Sequence, residues 1–565
     1  MREWVRSCVD RLPLEFRVLY RQFLLRVVDL ESLSIEAHIP SFVGQFAGVL
    51  ILVSLVQAVG GLMIPPPPNQ MWHIEQADIA LTMLVIGLVS VLTWDGTFPD
   101  RRDAMVLGPL PVKPRMILLA KIAASAALLS LGVFCLNFAS SVGWSVLFAA
   151  SRGFGPFCRY LSAYWITMLA AAVFLYSSVL TIQGLSAFLL PRRLFLRFSA
   201  ITQIVAFGLF LSVYFLEPYI ESPAGLAALR NDVVLAASPV YWFFALFNQC
   251  NGSLPAEGLW LAHRAWIGLA CAVAGAVASL LICYLHTMRK TVEEPDLVPA
   301  RRGFRWTPQL GGSLQSAILL FILRTLRRSR QHRVILALFY SIVLACALDL
   351  VHLAPRIGSA APMSLDFVVL TMWMTVFAVL GFRAICPLPI SLTANWVLRS
   401  TQLRPPQDYI AAVWRSMILL ALVPVWTTAA LLSLPYRPLL QTGVHLAVLL
   451  LLGSILLEAT LIGFHKVPFT CSYLPGKTNF QYVFWTCLVG AMLILLFALS
   501  IEFPALQSPV RSALLLFVLA VAAVGLHIYN RQRARSAVLY FEEPPEEVLT
   551  QLRLLSALPP ASSGE

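Results

Sequence analysis

Charge is scarce in this sequence. Asp, Glu, Lys and Arg make up 12% of its 565 residues, and 59% are apolar. A soluble globular chain carries roughly 25% charged residues, and a mean hydropathy of +0.79 leaves too little polar surface to cover one. The ten Cys residues are scattered, several inside apolar stretches, with no CxxC pair or metal-ligand spacing. That pattern supports neither a disulfide framework nor a metal site. No HExxH, GxSxG or paired intramembrane Asp occurs, so catalytic chemistry is not indicated and the chain is not expected to be an enzyme. The first 40 residues hold Arg2, Arg6, Arg11, Arg17, Arg21 and Arg26 without an isolated apolar core, so no cleavable leader is expected. Low-complexity sequence is confined to Pro65–Pro68, which reads as a stiff extended turn.

What is abundant is long apolar sequence. A helix needs about 20 apolar residues to cross a bilayer. Twelve such stretches are predicted at 42–63, 76–94, 116–138, 162–187, 197–216, 262–285, 334–354, 364–384, 409–432, 442–464, 481–500 and 510–529. Lys and Arg alternate with them. Eight of the 41 basic residues (Arg152, Arg159, Arg230, Arg264, Arg356, Arg415, Arg437, Arg511) fall in expected outer loops, at outer helix ends or within a span. The other 33 sit in the expected cytosolic segments or at the span ends facing them. Basic residues resist translocation, so this alternation predicts an all-α polytopic membrane protein with about 12 spans and both termini cytosolic. Its expected location is the cell membrane, as a multi-pass protein of a bacterial inner membrane. A net charge of +13 concentrated beside spans points to anionic lipid headgroups rather than nucleic acid.

The connection 286–333 carries ten basic residues and divides the spans into two sets of six. Each set opens on a basic amphipathic stretch suited to a helix lying in the membrane interface, 15–31 and 316–333. Pro111 and Lys121 recur as Pro405 and Arg415 at a constant offset of 294, which suggests a duplication. The expected organisation is an N-terminal half at 1–290, a cytosolic linker at 291–315, a C-terminal half at 316–530 and a cytosolic tail at 531–565. One feature breaks the symmetry: 233–250 is a short, Pro-interrupted apolar piece before the sixth span, predicted to be re-entrant or interfacial.

The loop 94–121 holds an acidic-basic cluster (Asp100, Arg101, Arg102, Asp103), a Leu-containing stretch (Leu107, Leu110), the turn Pro111-Val112 and then Lys121 entering the third span. In this it resembles the cytosolic loop of type-2 ABC exporter permeases. The resemblance extends over roughly 15–285, with a fainter echo in 316–530. It implies that 95–114, and 385–408 in the second half, act as coupling elements docking on a separate ABC ATPase subunit, present as two copies or a dimer. ATP would be bound by that subunit, and no cofactor by this chain. The family's usual acidic-Arg-Glu-x-Gly-Thr opening is not reproduced. An ordinary basic stop-transfer loop is the alternative.

Other readings compete. Gly96-x-x-x-Asp100-Arg101 is similar to half of the loop signature of major facilitator carriers, but Asp103, Ala104 and Met105 stand where the other half wants Gly and two bases. This keeps a secondary active transporter open. A membrane-embedded enzyme or assembly factor is a third class. Gly476-Lys477-Thr478 resembles the end of a phosphate-binding loop, but Cys471 stands where such a loop needs Gly and no soluble α/β domain surrounds it. The surrounding 465–477 reads instead as a second cytosolic contact surface or a tight turn at Pro475 and Gly476.

Within the spans, Glu458 and Arg415 are the informative charges. Both lie about six residues, roughly 9 Å, from the same membrane face on consecutive helices. An unpaired charge there costs about 2.5–3.5 kcal/mol on insertion scales, so a direct intramembrane pair is predicted. The alternative is that Arg415 snorkels and Glu458 is hydrated.

Overall fold

A computed structural model of the chain describes residues 13–28, 39–63, 71–93, 112–216, 237–283, 312–353, 364–386, 404–434, 439–462, 467–470 and 496–536, with isolated positions between. Among the described residues the apolar stretches are helices. In chain order they are α1 (Leu14–Val28), α2 (Ile39–Met63), α3 (Met71–Leu92), α4 (Pro114–Phe148), α5 (Phe154–Leu189), α6 (Arg192–Leu216), α7 (Pro239–Asn251) and α8 (Leu259–Ala278). The second set comprises α9 (Ser313–Arg328), α10 (Arg330–Leu353), α11 (Leu365–Ile385), α12 (Pro406–Met417), α13 (Val423–Leu432), α14 (Leu439–Thr460), α15 (Phe503–Leu506) and α16 (Pro509–Ser536).

Among the described residues ten helical segments are long and apolar enough to cross a bilayer, α12 and α13 together supplying one of them. The chain is therefore an all-helical, multi-pass membrane protein. The fifth expected span is α6, whose apolar core Ile201–Tyr214 is shorter than a full crossing. The eleventh, 481–500, lies largely outside the described residues.

Burial ranks the helices. In α3 and α11, the second spans of the two sets, 61% of the apolar window is buried; in α16 the share is 11%. The first two are bundle centres, and α16 presents Leu514, Phe517, Val521 and Val524 outward. Rows of exposed apolar side chains of this kind require lipid around them.

The local chemistry explains several helix limits. Pro114 and Pro406 stand at the first turns of α4 and α12, where a missing N–H loses nothing and a fixed φ starts the helix. α4 then runs unbroken for 35 residues, about 52 Å at 1.5 Å per residue. Its counterpart does not. Between α12 and α13 lies a π turn, Ile418–Leu422, followed by Pro424. α7 has 13 residues, about 20 Å and too short to cross a 30 Å core. It ends at Gly252, whose φ of +74° suits glycine's freedom from a Cβ. α7 packs on α5 and α8 with Val240, Phe243, Phe244 and Phe247 buried, as the apolar, Pro-interrupted sequence suggests.

Packing is tight where residues are small. A side chain at Gly143 of α4 would bring its Cβ to 2.8 Å from that of Ala58 on α2, so this crossing depends on glycine. α6 meets α10 across the two sets through Phe207, Val334 and Ala337, joined by Val91 of α3.

Candidate functional site

Each amphipathic helix grips the helix that follows a candidate coupling loop. On α1, the apolar face places Leu19 and Phe23 against Ile117, Ala120 and Ala124 of α4. Lys121 is 3% exposed, and its Nζ lies 5.2 Å from the centroid of the Phe23 ring. Burial beside an aromatic face gives an ammonium a cation–π partner worth about 0.5–2 kcal/mol. In the second set, Ile318 and Ile322 of α9 pack against Ala412, Val413 and Met417 of α12. Arg415 Nη1 donates to Gln315 Oε1 at 3.2 Å, and Arg404 Nη2 to Ser313 Oγ at 3.3 Å. The two bases matched in sequence thus both reach the amphipathic helix of their own set.

The described parts of 385–408 are laced to their surroundings. Phe469 N donates to Cys386 O at 2.8 Å, and Asn395 Nδ2 to Thr470 O at 2.6 Å. His332, at the start of α10, donates from Nε2 to Leu388 O at 2.9 Å. Its Nδ1 then accepts from Ser329 Oγ at 2.6 Å, which fixes the tautomer. The ring stands edge-on to Phe469, 4.6 Å between centroids. Phe469 itself adopts φ +67°, a left-handed conformation rare for a bulky residue. Strain of this kind costs about 1–3 kcal/mol and persists only where contacts enforce it. Val467, Phe469 and Thr470 are buried, so this part of the 465–477 stretch is covered by the chain's own helices rather than offered as a contact surface.

The expected Arg415–Glu458 pair is not formed. Glu458 turns to α16: Oε1 lies 2.6 Å from His527 Nδ1, and Oε2 accepts from Asn530 Nδ2 at 2.6 Å. The same amide also reaches Glu458 O at 2.9 Å. Equal depth on consecutive helices leaves the direction around each axis open, and here that direction sends Arg415 to α9 and Glu458 to α16. The two charges instead share a cavity of about 380 Å³ with Asp408, Trp414, Arg531 and Arg535.

Two buried polar clusters occupy the opposite, basic-poor end of the helices. In the first set Tyr164 OH lies 3.1 Å from Asp78 Oδ2, 2.9 Å from Asn137 Oδ1 and 3.2 Å from Ser140 Oγ. Gln57 Nε2 donates to Asp78 Oδ1 at 3.1 Å, and Tyr160 OH donates to Glu75 Oε1 at 3.1 Å. In the second set His445 Nδ1 lies 2.6 Å from Glu502 Oε1, and its Nε2 lies 2.9 Å from Thr371 Oγ1. Glu502 Oε2 is buried without a partner. Ionisable groups buried between membrane helices are expensive and mark functional positions by default. Of the acids within the spans, sequence reasoning singled out Glu458 alone. It passed over Asp78, which lies inside a predicted span, and read Glu502 as part of an outer loop.

Among the remaining expected site residues, Leu110 is exposed, and Asp100, Arg101, Arg102, Asp103, Leu107 and Pro111 lie outside the described residues. No family model matches this chain, and no curated protein or solved structure matches it either.

Proposed function

We propose that the chain is the membrane permease of an ABC-type exporter, made of two fused six-span units and driven by a separate ATPase subunit that binds the ATP. The basic-rich end faces the cytosol of a bacterial cell, with 12 spans and both termini inside. The observation that carries this reading is the repeated assembly of loop, Pro-initiated helix and gripping amphipathic helix. In it, the expected coupling elements 95–114 and 385–408 precede, in sequence, the bodies of α4 held by α1 and of α12 held by α9. Each loop feeds directly into the third span of its unit, which is what a permease without its own ATPase requires. Leu107→Asp is expected to abolish co-purification of an ATPase subunit while leaving insertion and abundance unchanged. Transport by the purified chain in proteoliposomes under an ion gradient alone would overturn it.

A second reading is a secondary active carrier. It is favoured by Asp78 and the His445–Glu502 pair, buried groups able to hold or pass a proton within the bundle. The proteoliposome experiment separates the two.

A further inference from the structure

We infer that the cavity between α12, α14 and α16 is a binding site for a phosphate-bearing anion at the membrane surface. Its walls are two helical stripes. Gln407, Ala411 and Arg415 succeed one another at four-residue spacing on α12; His527, Arg531 and Arg535 do so on α16. Four arginines line it in all, since Arg533 joins them, stacked 5.7 Å from the centroid of the Tyr529 ring. Against them stand Asp408 and Glu458. Both carboxylate oxygens of Glu458 are engaged by His527 and Asn530, so its charge is met by its own partners rather than by the arginines. The balance in the cavity is positive.

Position and size narrow the ligand. α16 runs apolar and lipid-facing through Val524 and turns basic at Arg531, so the cavity lies where hydrocarbon gives way to headgroups, whichever membrane face that is. A volume of about 380 Å³ falls in the range of small-ligand pockets, about 300–1,000 Å³. It is ample for a phosphodiester with a small polar substituent. Guanidinium forks match phosphate oxygens two at a time, which a lysine cannot do. The site does not depend on the exporter reading and would stand in a carrier equally well.

The test uses the full-length chain in vesicles of equal phosphatidylglycerol and phosphatidylcholine, with retained lipid measured by native mass spectrometry. The native protein should hold phosphatidylglycerol in preference by about thirtyfold, as two arginines at about a fivefold contribution each imply. Arg531→Gln with Arg535→Gln should reduce that preference to near parity, and either substitution alone should reduce it about fivefold. Arg511→Gln, at the far end of α16, should leave it unchanged. The Arg531→Lys, Arg535→Lys variant should keep a partial preference, which separates lost recognition from lost folding. In lipid-free detergent, a thermal shift with inorganic phosphate that vanishes in the double Gln variant would assign the site to a soluble phosphate. Its absence alongside phosphatidylglycerol selectivity assigns the site to the lipid. Undiminished selectivity in the double Gln variant, or no response to either ligand, would overturn the proposal.

Discussion

His445 and Glu502 are 57 positions apart in the chain and 2.6 Å apart in space, with both side chains fully buried. Thr371 bonds Phe367 O through its only hydroxyl hydrogen, at 2.7 Å, so it accepts from His445 Nε2. The remaining proton of the contact lies between Nδ1 and Oε1, and the pair is held together whichever atom carries it. Removing one partner strands the other. Glu502→Ala and His445→Ala are each expected to lower stability by about 3–5 kcal/mol. Replacement of both by Leu should lose less than either loss doubled. Melting curves in detergent micelles measure this, and losses that simply add would rule out a coupled pair.

The Glu458 contacts make a sharper prediction. A double-mutant cycle between Glu458 and Asn530 should show coupling of about 1 kcal/mol, within the span measured for polar contacts between membrane helices. The cycle between Arg415 and Glu458 should show coupling close to zero. Stronger coupling in the second cycle than in the first would restore the direct pair.

Tyr164 is the hub of the first polar cluster. Tyr164→Phe deletes only the hydroxyl, leaving Asp78 and Asn137 each short of a contact in a buried setting. The expected loss is about 1–3 kcal/mol, read as a lower melting temperature. An unchanged melt would mean that the cluster is hydrated.

Sidedness can be checked chemically. On a Cys-free background, Ser472→Cys should react with a membrane-impermeant thiol reagent only after the membrane is opened, whereas a Cys at Gly153 should react from outside intact cells. Labelling of position 472 in intact cells would invert the proposed topology of the second unit.

The sequence made the elements legible and left their contacts obscure. Arg and apolar residues alternate at helical spacing in α1 and α9, and a lone Pro divides 233–250, so these elements are readable in the sequence alone. The depth of Glu458 was readable as well. Its partner was not, because His527 follows 69 residues later on a helix with no evident reason to face it. Glu502 escaped for another reason: it stands two residues before Pro504 in a stretch that reads as a loop, while the chain there winds into a π turn. The matched pair Lys121 and Arg415 marked equivalent places, and their contacts with Phe23 and Gln315 supply a meaning that periodicity alone does not carry.

The two third spans are not mechanically equal. α4 is a single rod of 35 residues, stiffened at its base by Phe23 over Lys121. Its counterpart is articulated: the π turn at Ile418–Leu422 and Pro424 interrupt the regular hydrogen-bond ladder about halfway along Pro406–Leu432. A displacement delivered at Lys113 arrives at Phe148 about 52 Å away with little loss. One delivered at Pro405 is absorbed as bending near Leu422. Equal displacements at the starts of the two helices therefore yield unequal movement at their far ends: the first helix carries a stroke through as a swinging door carries its edge, and the second folds at its joint.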